Sequence, residues 1–335
     1  MSIRAVAAFT LLLCAGCSRS ISETGLRQEP VKFSVRDATL AGTLFLPAEP
    51  GKHPAVVLFH GSGPQPRDTE TAAWFATCGI AALAYDKRGV GQSTGDYRTI
   101  PFPNLVEDGL AGIALLKARN DIDAKQIGVW GLSQGGWLGP LAASRSSDVA
   151  FVIAVSGPGV TPGEQMVFYF ANELRGKGLS DAEVEEASAL RRKVSNYIST
   201  GAGYDEAKSA IQRAKSKRWY STLSAQHDHL IRSFEHAQTA RNDDWYKVEM
   251  NYDPVATLRK LKVPALFLFG GDDQIVPVPK SVEIIRQTLT AAGHPDFTIK
   301  IFPGADHGIR LTGSFELASG YRETTREWLE KHLSH

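Results

Sequence analysis

Five short segments of this chain are apolar without a break: Ala55–Phe59, Ile80–Tyr85, Ile127–Trp130, Phe151–Val155 and Ala265–Phe269. A strand with one wet face alternates apolar and polar residues, whereas a strand covered on both faces is apolar throughout. Helix-like stretches separate the runs, so the pattern predicts an α/β fold, a mostly parallel central sheet with helices on both faces. Ahead of the runs, Val31–Arg36 and Thr39–Leu46 alternate and read as an antiparallel hairpin. Phe297–Phe302 supplies a last strand. Helical spacing of Leu105, Leu110, Ile113 and Leu116 predicts a helix ending near Asn120, a second is expected to begin at Ser133, and Val282–Leu289 and Tyr321–Leu333 supply two more.

One interval breaks the alternation. From about residue 160 to 251 there is no strand-like run, while Ser180-Asp181-Ala182-Glu183 has the form of a capping box before a helix through Ile198, with Val184, Ala187, Val194 and Tyr197 at helical spacing. The interval reads as a helical lid inserted between the sixth and seventh sheet strands, counted from the first of the hairpin. Its apolar content looks too thin for a separate core, so residues 31–159 and 252–335 are read as one core and 160–251 as its lid.

The strongest chemical signal is Gly131-Leu132-Ser133-Gln134-Gly135, directly after a buried strand and before a helix. G-x-S-x-G in that context makes a strained turn that lifts the serine hydroxyl above the sheet as a nucleophile. Serine needs a base to take its proton, and the base needs a third group to orient it. Acid candidates lie in Gly270-Gly271-Asp272-Asp273-Gln274-Ile275-Val276-Pro277, past the carboxyl end of a strand, where such sheets build their sites; two adjacent aspartates compete there. Of the histidines after them, His332 and His335 are at the tail and His294 precedes a strand, which leaves His307, in a loop after Phe302. His60-Gly61-Ser62-Gly63-Pro64 follows the strand ending at Phe59, and such a glycine-rich loop turns backbone N–H groups toward a developing oxyanion. The donors are assigned to the backbone of Ser62 and Gln134, with His60 fixing the loop.

These segments together resemble the α/β-hydrolase family, and within it the exported bacterial branch of serine aminopeptidase-like and dienelactone-hydrolase-like proteins. The resemblance runs from Val31 to His335. The family's acid loop, G-x-x-D-x-x-V-P, falls on Asp273, with Asp272 as the alternative. The stretch Tyr85-Asp86-Lys87-Arg88-Gly89-Val90-Gly91-Gln92-Ser93 is also similar to that branch, and the resemblance implies that Asp86 and Arg88 brace the oxyanion loop.

The expected activity is hydrolysis of carboxylic esters by two-step acyl transfer, with Ser133, His307 and Asp273 as the triad and no metal or organic cofactor. A peptidase acting on short peptides is the alternative with the same triad, and a non-catalytic binding lipoprotein on the same fold is the alternative of another class. The intact set of residues counts against the latter. In the lid, Trp219 and Trp245 are candidates for lining a substrate pocket or for packing the lid. His227 and His229 lack a clear third metal ligand, and the basic stretch Lys208 to Arg218 reads as a solvated face.

The expected partner is a small ester or short peptide. A formal net charge of +1 over 335 residues argues against a nucleic-acid surface. Residues 1–17 have the layout of an export signal, with Arg4 before the apolar run Ala5–Leu13, too short to span a bilayer. Cys14-Ala15-Gly16-Cys17 resembles a lipobox, although Cys14 stands where leucine is usual. That implies lipidation at Cys17 and a periplasmic or membrane-anchored protein, with 18–30 as a polar linker. After such cleavage and lipidation Cys78 is the sole cysteine with a free thiol, so the fold depends on its core rather than on a disulfide.

Overall fold

The computed structural model describes residues 20–21, 25–223, 231 and 233–333. The signal segment, Cys17, His227 and His229 lie outside the described residues. Among the described residues nine strands form one sheet: β1 (Ser20–Ile21), β2 (Arg27–Val35), β3 (Ala38–Leu46), β4 (His53–Phe59), β5 (Ala81–Tyr85), β6 (Ile122–Leu132), β7 (Val152–Val155), β8 (Ala265–Gly270) and β9 (Phe297–Phe302). Their order is β1-β2-β3-β5-β4-β6-β7-β8-β9. Pairing is antiparallel from β1 to β5 and parallel from β5 to β9. The hairpin begins at Arg27 rather than Val31, so the end of the stretch read as a linker is part of the sheet, paired in register with β3 as Arg27 to Leu46.

The continuous apolar runs follow from burial on both faces. In β4, Ala55, Val57 and Phe59 enter one core, with the helices Val106–Lys117, Gln134–Arg145 and Val278–Ala291. Val56 and Leu58 point the other way, into a second core closed by Thr69–Thr77 and Tyr321–His332. The chain leaves β4 toward β5 on one side and later fills the other side with β6. That reversal opens a crevice beyond the carboxyl ends of β4 and β6, where open α/β sheets place ligands.

Between β7 and β8 the chain is helical: Pro162–Gly176, Asp181–Thr200, Tyr204–Ala214, Arg218–Ser221, Phe234–Asn242 and Asp244–Met250. Ser180 and Glu183 form the reciprocal capping box expected from their spacing. The insertion does carry a core of its own, contrary to the expectation from its composition. Phe170, Leu174, Val184, Leu190, Val194, Ile198, Ile211 and Trp219 are among a contiguous buried cluster. Alanines fill it out, and their small area hid the cluster in an amphipathic, charge-rich sequence. The first insertion helix rests on the loop after β8, with Gln165 Nε2 donating to the Ile275 carbonyl and Asn172 Nδ2 to that of Gln274, each at 3.0 Å.

One buried ion pair ties a helix to the strand ends. Arg88 is 0% exposed, and its guanidinium donates to Asp108 at 2.6 Å and to Asp37 at 2.8 Å. Asp108 sits in the first turn of Val106–Lys117 and is itself buried. Removing Asp108 takes from Arg88 its buried partner and leaves the interior charge facing only the exposed Asp37. Asp108→Ala is therefore expected to lower unfolding free energy by about 3–5 kcal/mol in urea titrations, and a loss below about 1 kcal/mol would contradict the pair's role.

Candidate active site

Ser133 is the hinge between β6 and the helix Gln134–Arg145, at φ 57° and ψ −112°. A serine in that region is strained by roughly 1–3 kcal/mol and persists only when its surroundings impose it. The glycines two residues away show what imposes it. A Cβ on Gly131 would lie 2.2 Å from the Gly135 carbonyl oxygen, and one on Gly135 would lie 2.6 Å from that of Phe59. The turn is closed too tightly for any side chain but hydrogen at either place. The Ser133 N–H donates to the Val155 carbonyl at 2.8 Å, which pins the turn to the end of β7.

Asp273 and His307 follow β8 and β9. The Asp273 side chain is fully buried, its Oδ1 accepting from the N–H groups of Ile275 at 2.7 Å and Val276 at 2.9 Å. Its Oδ2 lies 2.7 Å from His307 Nδ1. A carboxylate only accepts, so Nδ1 carries the proton and Nε2 is left as the basic nitrogen. Asp272 is exposed and accepts from the Thr312 hydroxyl at 3.5 Å, away from the imidazole. Asp306 accepts from Gly308 and Arg310 N–H groups and so shapes the histidine loop. His294 precedes β9, at the opposite end of the sheet from His307.

A residue that motif reading passes over connects the two loops. Ser156, fully buried and at φ 48°, directly follows β7, and its hydroxyl donates to the His307 carbonyl at 2.8 Å. Val155 holds the serine turn and Ser156 holds the histidine loop, so the end of one strand sets both. A positive φ at a non-glycine residue just past a strand is visible only in the backbone.

The glycine-rich loop after β4 is held from below. His60 Nε2 donates to the Tyr85 carbonyl at 2.6 Å, and burial pushes the imidazole down to about 4, so it is neutral. Asp86 accepts from the Arg67 backbone N–H and from both Nε and Nη2 of its guanidinium. The brace expected of Asp86 is therefore made through Arg67. Arg88 does not share it, since its guanidinium is turned to Asp108 and Asp37. Lys87, between them, makes the contact that Arg88 does not, donating through Nζ to the Gly61 carbonyl at 2.8 Å and to Gln134 Oε1 at 2.9 Å. Ser62 is exposed at the crest of the loop, and Gln134 is the first residue of the helix behind Ser133.

Trp219 borders a cavity of the insertion whose lining includes none of Ser133, Asp273 and His307. It is 1% exposed in the insertion's own core, with its indole N–H on Glu186 at 3.0 Å. The Trp245 side chain lies outside the described residues. Lys217 and Arg218 pair with Glu186 and Glu183 on the insertion surface. Among the described residues, no three His, Cys, Asp or Glu side chains converge as metal ligands.

Burial pushes the Asp86 carboxyl up, but the bonds from Arg67 and Gln92 outweigh it and hold the group at about 2. Its unfolded value is near 3.9, so the unfolded chain binds more protons between those values. The stability that Asp86 adds is complete above about pH 4 and is lost as pH falls toward about 2. Allowing for solvent screening at the Arg67 end, Asp86→Asn is expected to cost about 1–2 kcal/mol at neutral pH. The gap between parent and variant should close toward pH 2 in chemical denaturation, and a gap independent of pH would contradict this assignment.

The family described as serine aminopeptidase, S33, matches residues 51–311. Esterase EstD of Thermotoga maritima is 26% identical over 291 residues, which is 83% of this chain and 61% of the esterase. Polyketide transferase grgF of Penicillium is 35% identical over 136 residues, 39% of this chain and 45% of the transferase. The matched segment thus spans less than two thirds of either relative. Among solved structures, the α/β hydrolase GrgF from Penicillium has a TM-score of 0.61 at 19% identity, covering 92% of this chain and 99% of its own. A Pyrococcus furiosus esterase, Pf2001, has a TM-score of 0.60 at 14% identity, covering 95% and 97%. At these identities the structural likeness speaks for the fold.

Proposed function

The chain belongs to the serine aminopeptidase S33 family of α/β-hydrolase enzymes, and from that membership we propose that it cleaves carboxylic esters through an acyl-enzyme on Ser133. The observation that carries the reading is the Asp273–His307 pair at 2.7 Å, with the His307 loop joined through Ser156 and Val155 to a strained serine turn.

In the proposed reaction His307 Nε2 takes the proton of Ser133 Oγ as Oγ bonds to the carbonyl carbon. The carbonyl oxygen becomes an oxyanion facing the N–H groups of Ser62 and Gln134. Collapse breaks the bond to the leaving alcohol, which receives the proton from His307. Water then repeats the sequence, His307 taking its proton, and releases the acid. Asp273 orients the imidazole and stabilises its charged form.

Ester cleavage is preferred because a relative that matches 83% of the chain is named an esterase. A peptidase acting on short peptides is the second reading, favoured by the description of the family itself. A panel of p-nitrophenyl esters against aminoacyl amides separates the two by kcat/KM. We also propose export with lipid attachment at Cys17, supported by Ala5–Leu13 and the small residues before that cysteine.

Ser133→Ala is expected to lower kcat by roughly 10⁴ to 10⁶ and abolish labelling by a fluorophosphonate probe. Retained turnover near the parent level would overturn the assignment. Asp273→Asn is expected to cost on the order of 10³-fold or more and Asp272→Asn far less, and the reverse order of losses would move the acid to Asp272.

A further inference from the structure

The last helix of the insertion, Asp244–Met250, sets Glu249 against the residue that follows Ser133. Gln134 Nε2 donates to Glu249 Oε1 at 3.3 Å. The other end of the same amide accepts from Lys87 Nζ, which also donates to the Gly61 carbonyl. An ammonium only donates, so the amide oxygen must face Lys87 and the NH₂ must face Glu249. Lys87 and Gln134 are each 3% exposed, and the Tyr97 ring lies 5.0 Å from the ammonium. Burial lowers Lys87 to about 8 and raises Glu249 to about 7. One hydrogen-bonded chain thus runs from the insertion through Gln134 and Lys87 to the glycine loop, and the proposed acyl transfer leaves it unused.

Peptide geometry gives that chain a consequence. In a planar trans peptide the C=O and the following N–H point in opposite directions. The Gly61 carbonyl and the Ser62 N–H share one such plane, so Lys87 holding the oxygen on its side aims the N–H away from itself. Rotating that peptide would take an acceptor from a buried ammonium and the Lys87 bond from the carbonyl. Gln134 carries the other assigned donor on its backbone, and its side chain is clamped between Lys87 and Glu249.

We propose that Lys87 and Glu249 are positioning residues for the oxyanion hole, fixing the Ser62 and Gln134 N–H groups through the Gly61 carbonyl and the Gln134 side chain. The insertion is thereby coupled to transition-state stabilisation. This inference rests on the acyl-transfer reading above.

The test uses the full chain with Glu249→Ala, Glu249→Gln, Lys87→Met and Glu249→Ala combined with Lys87→Met, each on an activated ester and its thionoester. Oxyanion donors stabilise oxygen far better than sulfur, so a misaligned hole lowers the ratio of ester to thionoester turnover. Glu249→Ala is expected to lower kcat on the ester about 10-fold, with KM within about 2-fold and a reduced ratio. Glu249→Gln keeps an acceptor and should recover most of the loss. Lys87→Met is expected to cost about 10²-fold, and the double variant no more than Lys87→Met alone, since both act through Gln134. An unchanged kcat or unchanged ratio in Glu249→Ala would overturn the proposal, as would losses that multiply in the double variant. If Lys87→Met does not fold, the two Glu249 variants decide alone. Fluorophosphonate labelling of the parent separates the two levels. A parent unlabelled at Ser133 fails the acyl-transfer reading, whereas a labelled parent with an unchanged ratio in Glu249→Ala fails only the positioning role.

Discussion

The constraint on which the site depends is the close approach of the helix Gln134–Arg145 to the end of β4. With Gly135 against the Phe59 carbonyl, at a distance where a Cβ would stand 2.6 Å from the oxygen, the start of the helix is forced down onto the sheet. Ser133 has to turn through a positive φ to make that entry, the geometry by which a nucleophile elbow exposes its hydroxyl above the sheet. The same contact sets Gln134 beside the loop that follows Phe59. One backbone packing event thus sets Ser133 and the start of its helix beside the glycine loop, and the strain it costs is met by two hydrophobic cores on either side of the sheet.

Charge around that contact is managed so that buried groups have partners. Asp86 holds Arg67, Arg88 holds Asp108, Lys87 holds Gly61 and Gln134, and Asp273 is held by two amides and an imidazole. His60, which lacks a carboxylate partner, is kept neutral by burial. The division is chemical. Neutral His60 braces a loop through a carbonyl, while His307, whose Nδ1 faces a carboxylate, is the one proposed to carry a proton. Breaking any one of these pairs leaves a polar group in a medium that solvates it poorly.

Much of this could be read from residue order. Runs such as Ala55–Phe59 and Ala265–Phe269 reveal a doubly covered sheet because continuous apolarity has few other uses in a folded chain, and G-x-S-x-G after Ile127–Trp130 requires one local geometry. Ser180 and Glu183 specify their cap through local bonds alone. What stayed hidden is non-local. The insertion's core is spread over alanines and single aromatics from several helices, so no window of sequence displays it. Trp219 looked equally suited to a pocket or a core because aromatic character does not encode direction. In the stretch Asp86-Lys87-Arg88 the side chains diverge, and only the tertiary fold sends Lys87, rather than Arg88, beneath the glycine loop. Ser156 and Glu249 matter through partners 151 and 115 residues away, a distance at which no spacing rule operates.

The central claim is that Ser133 carries the acyl group between two half-reactions, and the most direct test observes that bond. The parent enzyme is mixed with a p-nitrophenyl ester, quenched in acid before the first turnover is complete, digested and mapped by mass spectrometry. The account predicts a burst of p-nitrophenol matched by an added acyl mass on the peptide containing Ser133, declining as substrate is exhausted. Acylation at a different residue, or a burst with no covalent adduct on the protein, would contradict it.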